Sequence, residues 1–193
     1  MGPSTEAATS LASARYGAVA IAFHWLLAAA IVASFSVGLY MHDLPFSIQR
    51  IKLFNYHKWA GVTILALSAL RLLWRLTHPP PPESARVLAA MPPWQQRAAK
   101  VSHGAMYALF FAVPLLGWAY SSAAGLPIVW FGVLPLPDFV SVNKDLANSL
   151  LKPLHAYAAF TLAAVVVLHV AAALKHQFVD RDNLMSRMWF TQR

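Results

Sequence analysis

The chain has no cysteine and only seven acidic residues among its 193. The missing thiol excludes disulfides, thiolate-held metals, iron–sulfur clusters and covalent haem attachment through a C-x-x-C-H motif. The few carboxylates are also confined: Glu6, Asp43, Glu83, Asp138, Asp145, Asp180 and Asp182 all lie outside the long apolar runs. Proton-coupled carriers place carboxylates inside their spans, so a transporter or metal carrier is disfavoured. No glycine-rich nucleotide-binding motif and no internal repeat is present.

What is present is apolar. The chain is 59% hydrophobic and 11% charged, with mean hydropathy +0.52, whereas soluble domains are about a quarter charged. Four runs without an acidic residue are long enough to cross a bilayer, at about 17–41, 56–77, 100–121 and 152–175. A span must satisfy its own backbone hydrogen bonds, so each is expected to be a helix. The expected fold is all-α, an integral-membrane four-helix up-down bundle. It forms one domain at 17–176, preceded by a mobile segment 1–16 and followed by a cytoplasmic tail 177–193.

The net charge of +8 does not point to nucleic acid, because the basic residues flank the spans rather than cluster on one soluble face. With the N-terminus inside, ten basic residues are cytoplasmic: Arg15, Arg71, Arg75, Arg86, Arg97, Lys100, Lys175, Arg181, Arg187 and Arg193. Five are outside: Arg50, Lys52, Lys58, Lys144 and Lys152. Both termini of this multi-pass chain are therefore expected in the cytoplasm. The first run is too long for a secretory signal and is interrupted by His24-Trp25. The prolines of THPPPPES end the second helix; Pro92-Pro93-Trp94 opens the third, in which Pro114 introduces a kink. The apolar loop GLPIVWFGVLPLP is expected to lie against the membrane surface.

The histidines carry the chemistry. His155 and His169 share the last span, 14 residues apart. That is close to four helical turns, so the rings share a face about 21 Å apart, one near each edge of a hydrocarbon core of about 30 Å. Up-down topology sets the depths of the others: His57 enters from outside and His24 from inside. The rings fall into an outer pair, His57 with His155, and an inner pair, His24 with His169. Each pair comes from different helices, as is needed to grip a flat macrocycle from both faces. Two axial imidazoles give a six-coordinate b-type haem with no open position, suited to electron transfer.

Other residues fit around this arrangement. Arg71, 14 residues after His57, is at the depth of an inner haem propionate, and Lys152, one turn before His155, has the same relation outside. Each is also placed to reach a lipid phosphate. His103 is the rival ligand for the inner layer should His24 not bind iron. His176 follows His169 by seven residues and can donate to a quinone carbonyl; as a solvated helix-end histidine it would gain from the helix dipole instead. His42 and His78 are expected to be solvated loop residues.

These residues resemble a family, the bacterial cytochrome b561 family of four-helix, di-haem membrane cytochromes. The matching pieces are His24-Trp25, His57 opening the second span, RLLWRLTHPPPP at 71–82, His103 in SHGAMY, and LKPLH…LH…KH in the last span. The resemblance runs over about residues 15–190. It implies His24/His169 and His57/His155 as axial pairs of two non-covalent haems b, ubiquinone or a similar quinone as membrane partner, and His176 at a quinone-associated position. Some relatives are superoxide oxidases, passing electrons from superoxide to ubiquinone. A basic outer surface would attract that anion. In SSAAGLPIVWFG no lysine or arginine is present. Related modules act as haem-bearing anchors that pass electrons from a dehydrogenase or hydrogenase subunit to quinone. The electron donor, superoxide or a redox protein, is not set by these motifs, and co-purification of a partner would separate the two readings.

Overall fold

The computed structural model describes residues 15–79, 81, 88–182 and 184–189. Four long helices dominate it: α1 (Ala18–Asp43), α2 (Ile48–Thr77), α3 (Pro93–Ala123) and α4 (Lys144–Asp180), each long and apolar enough to cross a membrane. All extend past the apolar runs in the sequence, because helical backbone continues into the polar headgroup zone. The segment 1–16 lies outside the described residues as far as residue 14, as do residues 82–87 of the long connection and residues 190–193 of the tail.

Local chemistry sets the ends. Ser47 Oγ caps α2 by accepting from Arg50 N at 3.2 Å. The stop of α2 at Thr77 precedes the proline run, since proline has no N–H to continue the ladder. Pro93 occupies the first turn of α3, where a missing N–H costs nothing, and Pro114 lies within that continuous helix. Gly125, with φ 73°, closes α3 while Leu126 N donates back to Ser121 O at 2.9 Å. In α4 a wide π turn at Ala147–Leu151 comes just before Pro153, which cannot donate to the preceding turn. A second π turn, His176–Asp180, ends the helix.

The helices run antiparallel in chain order, with α1 also beside α4, where Phe35 and Phe160 meet edge to face at 5.6 Å. Met106, Phe110 and Leu162 form a buried cluster between α3 and α4. Elsewhere the apolar surface faces outward, as in Val32 at 57% and Leu168 at 67% exposure. A soluble protein rarely shows so much apolar surface; a bilayer accounts for it. Two threonine hydroxyls inside the spans bond to their own helix, Thr63 Oγ1 to Trp59 O at 2.9 Å and Thr161 Oγ1 to Tyr157 O at 2.8 Å.

The two ends of the bundle differ. At one, the 124–143 connection forms a small hairpin, β1 (Val129–Trp130) with β2 (Leu134–Pro135), reversed by left-handed Phe131 and Gly132. It packs onto α2 rather than only against a membrane surface. Trp59 Nε1 donates to Val129 O at 2.6 Å, and Lys58 Nζ reaches Pro127 O at 3.1 Å. At the other end the first and last described segments meet: Tyr16 N donates to Arg187 O at 3.3 Å.

Candidate functional site

Each helix carries one pair of these residues 14 positions apart: His24 and Gly38, His57 and Arg71, His103 and Gly117, His155 and His169; all but the exposed His103 are partly buried. Four turns separate the members of each pair, so the eight positions make two layers about 21 Å apart. The hairpin-end layer holds Gly38, His57, Gly117 and His155. The terminal-end layer holds His24, Arg71, His103 and His169.

In the hairpin-end layer the His57 and His155 rings face each other with centroids 6.1 Å apart. Both are oriented by backbone. His57 Nδ1 donates to Ser34 O at 3.1 Å, with Ser34 Oγ at 3.2 Å, and His155 Nδ1 donates to Val113 O at 3.0 Å. Spending Nδ1–H this way leaves each Nε2 as a free lone pair, the tautomer a metal ligand needs. Beside each ring stands a glycine. A Cβ at Gly38 would lie 3.2 Å from His57 Cε1, and one at Gly117 3.0 Å from His155 Cε1.

In the terminal-end layer His24 and His169 are 6.4 Å apart, and His103 is 5.5 Å from His169. Arg71 Nη2 stands 3.4 Å from His24 Nδ1, with its guanidinium carbon 5.6 Å above the Tyr107 ring. Further out, His176 Nδ1 is 2.6 Å from Asp182 Oδ2 and 3.1 Å from Asp180 Oδ2, and Asp180 also pairs with Lys175.

The profile described as prokaryotic cytochrome b561 matches residues 15–191, nearly the whole chain. The chain belongs to the prokaryotic cytochrome b561 family. This b561 cytochrome is 34% identical over 178 residues to cytochrome b561 homolog 2 of Escherichia coli K12, covering 90% of each chain. It is 31% identical over 175 residues to a probable superoxide oxidase CybB of Yersinia pestis, covering 90% of this chain and 95% of that one. Cytochrome b561 homolog 1 of E. coli K12 matches at 31% over 137 residues, 69% of this chain and 72% of that one. It is therefore a multi-pass membrane cytochrome, and the family implies haem b.

The residues present fit that group. Two metal–imidazole bonds of about 2.0 Å, plus roughly 1.1 Å from nitrogen to ring centre on each side, give ~6.2 Å between centroids. The observed 6.1 and 6.4 Å bracket this value, and the 5.5 Å between His103 and His169 falls short of it. Gly38 and Gly117 add no side chain against the His57 and His155 rings. Buried donors without a protein partner, Ser68 Oγ and Trp118 Nε1, lie within the same bundle.

This b561 cytochrome holds residues that histidine counting passes over: Ser34, Val113, Gly38 and Gly117. A signal for the glycines was available, since each stands 14 residues after a histidine. No sequence signal marks a main-chain carbonyl as an acceptor. Lys152 is exposed on α4, and among the described residues no ion pair or side-chain hydrogen bond engages it. His42, expected in a loop, is in the last turn of α1 beside Asp43, and His78 ends α2, stacked on Trp74 at 3.7 Å. His176, expected as solvated or quinone-facing, is half-buried and held by carboxylates.

Proposed function

We propose that this protein is a di-haem b cytochrome of a bacterial inner membrane. It passes single electrons between a donor at the hairpin end and membrane quinone at the end where the termini meet, with both termini in the cytoplasm. The observation that carries the reading is the pair of imidazole couples, 6.1 and 6.4 Å wide, set one per layer. Haem bound between His57 and His155 and between His24 and His169 would supply reversible one-electron exchange.

The protein's residues have distinct tasks. His57 and His155 present Nε2 as ligands because Ser34 O and Val113 O hold their Nδ1 protons. His24 and His169 are the second pair. A His24 that ligates through Nε2 keeps its proton on Nδ1 and cannot accept from Arg71, a donor-only group. Arg71 then needs another acceptor, and a propionate at that depth provides one. Lys152 is the corresponding cation of the other layer, at the bundle's surface. His103 adjoins His169 as a neighbour in this reading, not as a ligand.

At the quinone end, the Asp182 carboxylate accepts from His176 Nδ1, so Nε2 is the atom left to face a quinone oxygen. The donor of first choice is superoxide, which the name of the Yersinia pestis relative suggests. The loop SSAAGLPIVWFG has no basic residue of its own, but α2 supplies Lys58, whose Nζ lies against the Leu126 and Pro127 carbonyls. A cation there favours approach of an anion.

A reduced-minus-oxidised spectrum with a pyridine haemochrome count tests the core of this reading. Two haems b per chain are expected, and a single haem in fully reconstituted protein overturns it. Reduction of the purified protein by generated superoxide, abolished by superoxide dismutase, tests the donor. Absence of that reduction, with a co-purifying dehydrogenase subunit, assigns the role of membrane anchor instead.

A further inference from the structure

The two imidazole layers differ in what orients their rings. His57 and His155 each give Nδ1–H to a main-chain carbonyl, at 3.1 and 3.0 Å. Among the described residues, no hydrogen bond joins His24 or His169 to a carbonyl, and the group at hydrogen-bonding distance from His24 is Arg71 Nη2, at 3.4 Å. A guanidinium only donates, so it cannot hold a proton-bearing Nδ1 in place. For His24 to serve as a ligand, another contact must fix its ring.

That contact is with Trp25, whose ring meets His24 edge to face at 5.3 Å and 86°. Successive residues of a helix do not face each other, so the indole has to be held toward the imidazole. The end of the chain does this. Trp25 Nε1 donates to Met188 O at 2.7 Å, and the Trp25 and Trp189 rings meet edge to face at 5.4 Å. Residues 184–189 are seated in turn at three points. Arg15 Nη2 donates to Trp189 O, and Tyr16 N donates to Arg187 O at 3.3 Å. Asp182 Oδ1 accepts from Leu184 N at 3.2 Å, where the short turn Met185–Met188 begins.

We propose that Trp25, held by residues 184–189, is a positioning residue for His24 and fixes the plane in which that imidazole presents Nε2. The proposal rests on the reading of His24 as a haem ligand, and it gives the indole the part that a carbonyl plays for His57 and His155. The plane of an axial imidazole sets how its π electrons meet the iron d orbitals, and so the spread of g values of a low-spin haem. The ring planes are inclined by 59° for His24 with His169 and by 82° for His57 with His155, so the two haems should give separate EPR signals.

The test is EPR of the oxidised, full-length, haem-loaded protein, with a pyridine haemochrome count. Wild type is expected to hold two haems and show two low-spin signals; the one missing from His24→Ala belongs to the terminal-end layer. Trp25→Phe removes the Nε1 donor, and Trp189→Ala removes the second ring. Each should keep two haems, shift or broaden that one signal, and speed the loss of one haem to apomyoglobin about tenfold. The signal of the hairpin-end layer should stay as it is, which shows the fold intact. Trp94→Phe, at the exposed start of α3, should move neither signal. Two haems with both signals unmoved in Trp25→Phe and Trp189→Ala would overturn the proposal and leave the ligand assignment standing. An equal change in both signals, or a change in Trp94→Phe as large as in Trp25→Phe, would overturn it too. A wild-type count below two would overturn the ligand reading and the proposal with it.

Discussion

Gly117 and His155 stand so close that a β-carbon at 117 would lie 3.0 Å from His155 Cε1. The same relation joins Gly38 to His57 at 3.2 Å. Each glycine is thus the reason its neighbouring imidazole can take up its position, and both belong to one layer.

Enlarging residue 117 should therefore displace the His155 ring. Gly117→Leu is expected to lower the haemochrome count from two to about one per chain. Gly61→Ala, where no atom lies within 4 Å of the added carbon, should leave it at two. Retention of both haems in Gly117→Leu would show that the glycine is not part of a haem cradle.

Replacing the imidazoles one at a time separates ligands from neighbours. His24→Ala, His57→Ala, His155→Ala and His169→Ala should each remove about one haem, while His103→Ala and His176→Ala keep both. Loss of a haem from His103→Ala, with none lost from His24→Ala, would move the ligand role to the ring that stands 5.5 Å from His169.

Arg71 places a positive charge beside the His24/His169 layer. A nearby cation favours the reduced, more negative state of an iron centre. Arg71→Gln is expected to lower the midpoint potential of one haem on the order of 60 mV, a tenfold change in a one-electron equilibrium. The other haem, about 21 Å away, should shift far less. Potentiometric titration reads both, and an unmoved pair of midpoints would place Arg71 outside the haem environment.

His176 and Asp182 form a contact of 2.6 Å. With Asp182→Asn the imidazole loses its charged acceptor, and with His176→Gln it is gone. Both variants should keep two haems and their spectra, yet reduce a soluble quinone analogue about tenfold more slowly. Full activity in both would remove this pair from the quinone reaction.

The absence of native cysteine makes topology directly measurable. A single cysteine at Asp138→Cys should react with an impermeant maleimide from outside intact cells, and one at Gln192→Cys only after the membrane is opened. The reverse pattern would place both termini outside.

Much of the architecture was legible from the order of residues. A bilayer forces each backbone to satisfy itself, so an acid-free apolar run of that length has one helical solution. The 3.6-residue period then converts the 14-residue intervals between His57 and Arg71, and between His155 and His169, into depth and face without any knowledge of packing. Helix ends were less legible. Ile48–Tyr56 and Pro93–Ala99 are helical although polar residues interrupt them, because headgroup-level helix needs no apolar pattern.

The sequence by itself determined four helices long and apolar enough to cross a membrane and the spacing of the histidines along them, because hydrophobic length and helical period are local properties. Only the tertiary structure decided which rings face each other across 6.1 and 6.4 Å, and which of His24 and His103 stands at the wider spacing from His169. It alone showed that Ser34 O and Val113 O take the Nδ1 protons, that Lys58 lies against the Pro127 carbonyl, and that residues 184–189 lie across the start of α1. Rotation of one helix about its axis relative to another is set by side-chain packing between distant segments, and no single run of residues contains that information.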